Sequence, residues 1–198
     1  MDYTTLAYAK AVLDNVEVAD DDLLTKAIAA ASRFIDHHCT GVFRPEADNY
    51  FELAEVADEQ IRGLIDRQGR LLCHPRKSNV NSVAALAYRP SPRHDWENVE
   101  PDLIEIDGGR VLAWTQFFGR GQVRLKISYS GGLAATPDEL PADLREIANV
   151  LAVRFYREDK AGLSDAIGVT ELGTLFYTKA LPPRVVKMMT TYTRVIPW

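Results

Sequence analysis

His37-His38-Cys39 and Cys73-His74 carry the side chains from which a Cys/His zinc quartet could be drawn. Structural zinc sites space their ligands on loops and knuckles, as in C-x₂₋₄-C, whereas neighbours on a helix diverge by about 100°. The spacing therefore favours core and helix-end residues over ligands, and no metal is expected. His94 stands in a proline-flanked stretch without an evident partner. Gly119-Arg120-Gly121 and Gly131-Gly132 lack the spacing and strand–helix setting of a phosphate loop, so they read as turns. Ser130-Gly131 lacks the flanking G-x-S-x-G of a nucleophile elbow. No acidic pair stands out for acid–base work. The residues thus point away from an enzyme, with no catalytic residue and no cofactor. The alternative is a small enzyme whose polar groups converge from distant positions.

Aromatic residues beside bases, Tyr88-Arg89 and Trp114 with Arg120, have the makings of a nucleobase stack. Packing within a small β domain and its rim explains them more simply. The Met188-Met189 pair and Trp198 are of a different kind, because Met and Trp are enriched at interface cores. After Glu171 no acid appears, while Lys179, Arg184, Lys187 and Arg194 do. An apolar face with Val185, Met188, Met189 and Tyr192, basic neighbours and Trp198 would need a partner to cover it.

The elements that must position these groups run helices, strands, helices. Residues 3–13 predict a short helix with Leu6, Ala9, Val12 and Leu13 on one side. Asp20-Asp21-Asp22 then supply a cap and the acids that a helix N-terminus favours. The second helix runs to about Cys39 with Leu24, Ile28, Ala31 and Ile35 in one stripe, and Gly41 ends it. From residue 50 to 129 the pattern turns to period two and turn chemistry. Strands are expected at 50–53, 70–74, 82–89, 103–106, 110–114 and 122–129. The last is the clearest, with Val123, Leu125, Ile127 and Tyr129 alternating with Arg124, Lys126 and Ser128. Asp107-Gly108-Gly109 predicts a tight hairpin, and 56–67 reads as a helical turn or loop. Helix returns after Pro137 and Pro141, with Leu144, Ile147, Ala148, Leu151 and Phe155 as a second stripe. Pro182-Pro183 open a last helix. The expected fold is α+β: a helical bundle built from both chain ends (1–45 and 136–198) with an inserted small antiparallel β domain (46–135).

Composition sets the bounds. A chain of 198 residues, 46% hydrophobic and 26% charged, suits a globular domain with a sizeable core. No apolar run reaches the roughly 18–20 residues of a membrane span, and the start lacks a signal peptide's pattern, so synthesis in the cytoplasm and no membrane contact are expected. Cys39 and Cys73 sit in apolar patterns and read as buried thiols. The net charge of −5 argues against a protein whose main task is gripping nucleic acid. That charge is uneven: residues 1–66 carry 14 acids and 5 bases, residues 67–198 carry 14 acids and 18 bases. Such polarity suits opposed surfaces that meet different neighbours.

Four segments in order then carry a family resemblance. Asp21-Asp22-Leu23-Leu24 leads into Ile28-Ala29-Ala30-Ala31-Ser32-Arg33-Phe34-Ile35 and on to Gly41-Val42-Phe43-Arg44-Pro45. Next come Val123 to Gly132, then Pro141-Ala142-Asp143-Leu144-Arg145 through Val153-Arg154-Phe155-Tyr156-Arg157, and last Leu181-Pro182-Pro183-Arg184-Val185 leading to Tyr192-Thr193-Arg194. In this order and spacing the chain resembles the head-tail connector (adaptor) proteins of long-tailed bacteriophages. The resemblance implies a homo-oligomeric ring of about a dozen copies beneath the portal protein, a closed heterologous assembly. Such a ring in the virion neck would extend the channel for double-stranded DNA and seat a stopper or tail-completion protein. Another ring-forming neck or tail-completion protein is the nearest alternative. Asp20, Asp21 and Asp22 are candidate channel-facing acids, since acids repel a passing phosphate backbone. Arg184, Lys187, Met188, Tyr192, Arg194 and Trp198 are the candidate docking residues for the portal or a neighbouring copy.

Overall fold

The computed structural model describes residues 1–13, 18–40, 49–107, 109–115, 121–160 and 181–193. The chain divides into two compact units, one from residues 1–49 and 136–195, the other centred on 50–135.

The first unit holds four helices: α1 (Leu6–Val12), α2 (Asp21–Thr40), α3 (Ala142–Lys160) and α4 (Pro183–Tyr192). α2 buries Leu24, Ala27, Ile28, Ala31, Ile35 and Cys39, a stripe recurring every three or four residues. It packs on the corresponding stripe of α3, where Leu144, Ile147 and Leu151 are fully buried. Alanines 27, 31, 148 and 152 are buried as well and let the two backbones approach closely. Phe155, expected in that stripe, lies half-buried and meets Phe34 edge-on at 6.0 Å, while Tyr156 takes the buried position. One helical residue is 100° of rotation, which separates core from rim.

A polar hub ties the chain's first residues to α2. Asp36 is buried and accepts hydrogen bonds from the Tyr3 hydroxyl and, at 2.8 Å, from the Asn49 amide. Ser32 Oγ donates to the Ile28 carbonyl and accepts from the Tyr3 amide, both at 2.9 Å. Burying a carboxylate is tolerable only with such partners.

The second unit corrects the expected fold class. It is no small insert in a helical bundle but a seven-stranded antiparallel sheet, in the order β4-β3-β7-β1-β2-β6-β5. The strands are β1 (Ala54–Ile65), β2 (Arg70–Cys73), β3 (Val80–Arg89), β4 (Glu97–Asn98), β5 (Ile104–Asp107), β6 (Arg110–Trp114) and β7 (Gly121–Gly131). The chief surprise is β1, twelve residues long where a helical turn or loop was expected. Its alternation is interrupted by a bulge between Val56 and Glu59, with Asp58 at φ 54°, so its inward residues do not keep an even spacing. Gly63 lies inside the same strand because the Leu125 side chain occupies the space a Cβ would need. Residues 50–53, expected as a strand, form a turn with a single bridge from Glu52 to Ala134.

The β1–β2 hairpin is built on Asp66. Its carboxylate accepts the amides of Gln68 and Arg70 at 2.8 and 3.0 Å, while Gly69 takes φ 79°. The Arg70 amide, then its guanidinium, hold the Asp66 carboxyl below the usual carboxylate range. In the β5–β6 hairpin Asp107 pairs with Arg110; Gly108 lies outside the described residues. β3 also approaches β5, so the sheet curls around a core that includes Ile65, Leu71, Leu86, Leu125 and Ile127.

Candidate assembly surfaces

The carboxylate of Asp20 accepts from Tyr156 Oη at 2.9 Å and from Lys160 Nζ at 2.6 Å. Two donors from the last turn of α3 therefore converge on the residue before α2. The Lys160 bond, then the Tyr156 bond, lower the Asp20 pKa; the same Asp20 bond raises that of Lys160. Asp21 pairs with Lys10 of α1. Asp22, the third acid, is exposed. Two of the three candidate channel acids are thus engaged in internal pairs, and one faces solvent.

On α4 the candidate docking residues separate by face. Val185 and Met189, four positions apart, are buried, and the helix packs on α2 and α3. Tyr192 Oη donates to Asp143 Oδ1 at 2.5 Å across to the first turn of α3. Burial, then that bond, push the Tyr192 hydroxyl pKa up. Met188 is half-buried, and Arg184 and Lys187 are exposed. Arg194 and Trp198 lie outside the described residues. The exposed part of the α4 candidate set is therefore cationic rather than apolar.

The residues weighed for chemistry are placed as follows. Cys39 and Cys73 are free, buried thiols. Burial, with Asp36 as the second cause, pushes the Cys39 thiol up to about 12. Among the described residues no group of three or more His, Cys, Asp and Glu side chains could hold a metal ion. His38 stacks on Phe34, and His94 Nδ1 meets Ser91 Oγ at 2.8 Å. Tyr88 is buried, its hydroxyl donating to Glu97 at 2.5 Å, and Arg89 lies over the Trp96 ring. Neither offers a free ring face to a base. Trp114 is half exposed; Arg120 lies outside the described residues. No described helix is long and apolar enough to cross a membrane.

One feature of the sheet escaped sequence reasoning. Arg62 of β1 stands directly opposite Arg124 of β7, and Arg124 directly opposite Arg89 of β3. Arg62 and Arg124 are exposed on the outer face, and neither has an acidic partner among the described residues. Like charges facing across strands cost stability. The sequence held the signal, but only the register brings the three into one row.

Comparison with solved structures bears on this arrangement. The chain is similar to a chain in the neck of an empty gene transfer agent particle computed with C6 symmetry. The alignment covers 98% of this chain and 90% of that one, at 18% identity and a TM-score of 0.55. The fold is that of a phage-like neck protein. This likeness agrees with the resemblance carried by the four sequence segments. Chains from the neck of the native particle computed with C12 symmetry, and from the native gene transfer agent virion, align over the same shares of both chains. Their identities are 18% and 16%, with TM-scores of 0.43 and 0.44. No protein-family model matches the chain, and no curated protein matches it.

Proposed function

We propose that this chain is a structural component of the neck of a phage-like particle, an adaptor subunit that forms a ring beneath the portal. The observation that carries the reading is a shared fold over nearly the whole chain with a neck protein whose particle was computed with C6 symmetry. The four ordered segments of the connector family support it independently. In this role the chain extends the DNA channel, seats a stopper or tail-completion protein and carries out no reaction. A ring of about a dozen copies satisfies the closed symmetry expected of such an assembly.

The α4 surface supplies the docking chemistry. Arg184 and Lys187 project from a helix anchored by Val185 and Met189, so a rigid base presents two positive charges to an acidic partner, the portal. Arg194 and Trp198 extend that surface in the sequence. Asp22 is the exposed acid available to repel passing DNA, with Asp20 and Asp21 fixing the turn behind it.

Arg184→Glu combined with Lys187→Glu tests the docking role without touching the buried side of α4. The expected result is a folded protein and DNA-filled heads that accumulate without tails. Normal yield of tailed particles from that variant overturns α4 as the docking surface.

A further inference from the structure

The register of the sheet gathers hydrogen-bond donors on one half of its outer face. The Arg89 guanidinium lies 4.4 Å over the Trp96 ring, Arg89 stands opposite Arg124, and Arg124 stands opposite Arg62. One step along the same strands Lys126 faces Gln60, and on the other side Gln122 faces Leu64. Arg62, Arg124, Gln60 and Gln122 are exposed. The Nε of Arg89 is buried and has no hydrogen-bond partner among the described residues. The Asp58 carboxylate at the bulge is already spent on Lys126, at 3.2 Å. Glu105 shares the outer face but sits on the edge strand β5, with Leu64, Leu72 and Leu112 in the row between. Three strand spacings, about 14 Å, separate it from β1.

Neighbouring strands lie about 4.8 Å apart, so the three arginine positions span about 10 Å. Each guanidinium is a planar, permanently charged fork that matches phosphate oxygens in pairs. The three repel one another, and a lone carboxylate would offset only one of them. A polyanion with charges repeating along a line offsets all three. Duplex DNA is such a line, with one charge per about 1.7 Å of its axis. Gln60 and Gln122 suit the same ligand, because amides as well as cations donate to phosphate oxygens. The row holds no apolar side chain beyond the Trp96 ring that Arg89 already covers, so it lacks the apolar core of a protein interface.

We infer that Arg62, Arg124 and Arg89 form a seat for the phosphate backbone of duplex DNA. The two exposed arginines make the direct contacts, and Arg89, fixed on Trp96, supplies the third charge. Three phosphates are few, so the hold is weak, salt-sensitive and without sequence preference, and a duplex can slide through it. Asp22, the acid available to repel DNA, belongs to the helical unit, whereas the arginines belong to the sheet. The inference rests on the neck reading only for the source of the duplex, which the channel supplies.

The purified full chain, titrated into a fluorescently labelled duplex of about 30 base pairs and read by anisotropy from about 20 to about 200 mM salt, tests the inference. Binding is expected at the lower salt, and log affinity should fall against log salt with a slope of about −2 to −3, as three phosphates require. Arg62→Gln with Arg124→Gln is expected to bind about tenfold or more weakly and to flatten the slope by about two, with an unchanged circular dichroism spectrum. Arg62→Lys with Arg124→Lys keeps the charge and loses the fork, so the slope is expected to hold while affinity falls about threefold. Arg184→Gln with Lys187→Gln, on the helical unit, is expected to leave affinity and slope unchanged. An unmodified chain that leaves the duplex free at about 20 mM salt overturns the inference. So does a glutamine double variant with undiminished affinity and slope. Binding of a poly-glutamate peptide in place of the duplex also overturns it and passes the row to an acidic protein neighbour. The titration uses the purified chain, so each of these failures leaves the neck reading standing.

Discussion

The helical unit and the sheet unit both pair carboxylates internally, but only the sheet sets like charges directly opposite one another. In the first, carboxylates are consumed internally: Asp36 by Tyr3 and Asn49, Asp20 by Tyr156 and Lys160, Asp143 by Tyr192 and Glu158 by Arg154. In the second, buried Glu59 pairs with Arg76 at 3.1 Å, Asp66 with Arg70, Asp58 with Lys126 and Glu97 with Tyr88, yet the outer face sets Arg62 opposite Arg124 and Arg124 opposite Arg89. A carboxylate paired within its own unit needs no neighbour to satisfy it. A unit that tolerates repulsion across its strands gains from a partner that relieves it.

Substitutions should separate the two units by the sign of their effect. Asp36→Ala strands the Tyr3 hydroxyl and the Asn49 amide, and should cost about 1–3 kcal/mol for each orphaned partner. Urea denaturation of the purified chain reads that loss, and an unchanged midpoint would remove the hub from the account. Asp36→Asn, which keeps one acceptor oxygen, should cost less. In the sheet, Gly63→Val drives a side chain into the space held by Leu125, so a loss of about 1–3 kcal/mol is expected. A neutral result would mean that β1 can shift locally, against the close packing described.

Titration sharpens the same contrast. The Asp20 pKa is lowered in the folded chain, so its contribution is present above the unfolded carboxylate pKa and lost as pH falls through the folded value. That of Lys160 is raised, so its contribution is present below the unfolded lysine pKa and lost as pH rises through the folded value. The pair therefore stabilises across the neutral range and fades below about pH 4 and above about pH 10. Asp20→Asn should flatten both limbs of the stability profile, and an unchanged profile would count against the pair. The smallest effect has the opposite sign. Arg124→Gln relieves the row and should raise the stability of the isolated chain by about 0.2–1 kcal/mol. A destabilised monomer would show that the arginines are held by contacts within the chain.

The sequence made the helices easy to read and the sheet hard, for a physical reason. Helix α2 announces itself through Leu24, Ile28, Ala31 and Ile35, because a stripe at 3.6-residue spacing survives single irregularities. Strand β7 was equally clear, with unbroken alternation from Val123 to Tyr129. β1 was missed because its bulge at Val56–Glu59 shifts the phase, and because Glu59 and Gly63 stand where apolar residues are expected. With that strand unseen, the β region looked small and the fold class came out wrong. The arginine row was invisible for a related reason: positions 62, 89 and 124 become neighbours only through the pairing of three strands. On α4, Val185 and Met189 were legible as an apolar face, but that α2 and α3 of the same chain would cover it was not. That Tyr192 would spend its hydroxyl on Asp143 was not, since nothing in the sequence links the two.

The most direct measurement of the central claim is a cryo-electron-microscopy reconstruction of the neck of particles that carry this chain. The account predicts one ring of identical copies beneath the portal, with Arg184 and Lys187 of α4 turned toward it. A reconstruction that places the chain outside the neck, or in a ring whose α4 faces away from the portal, would contradict it.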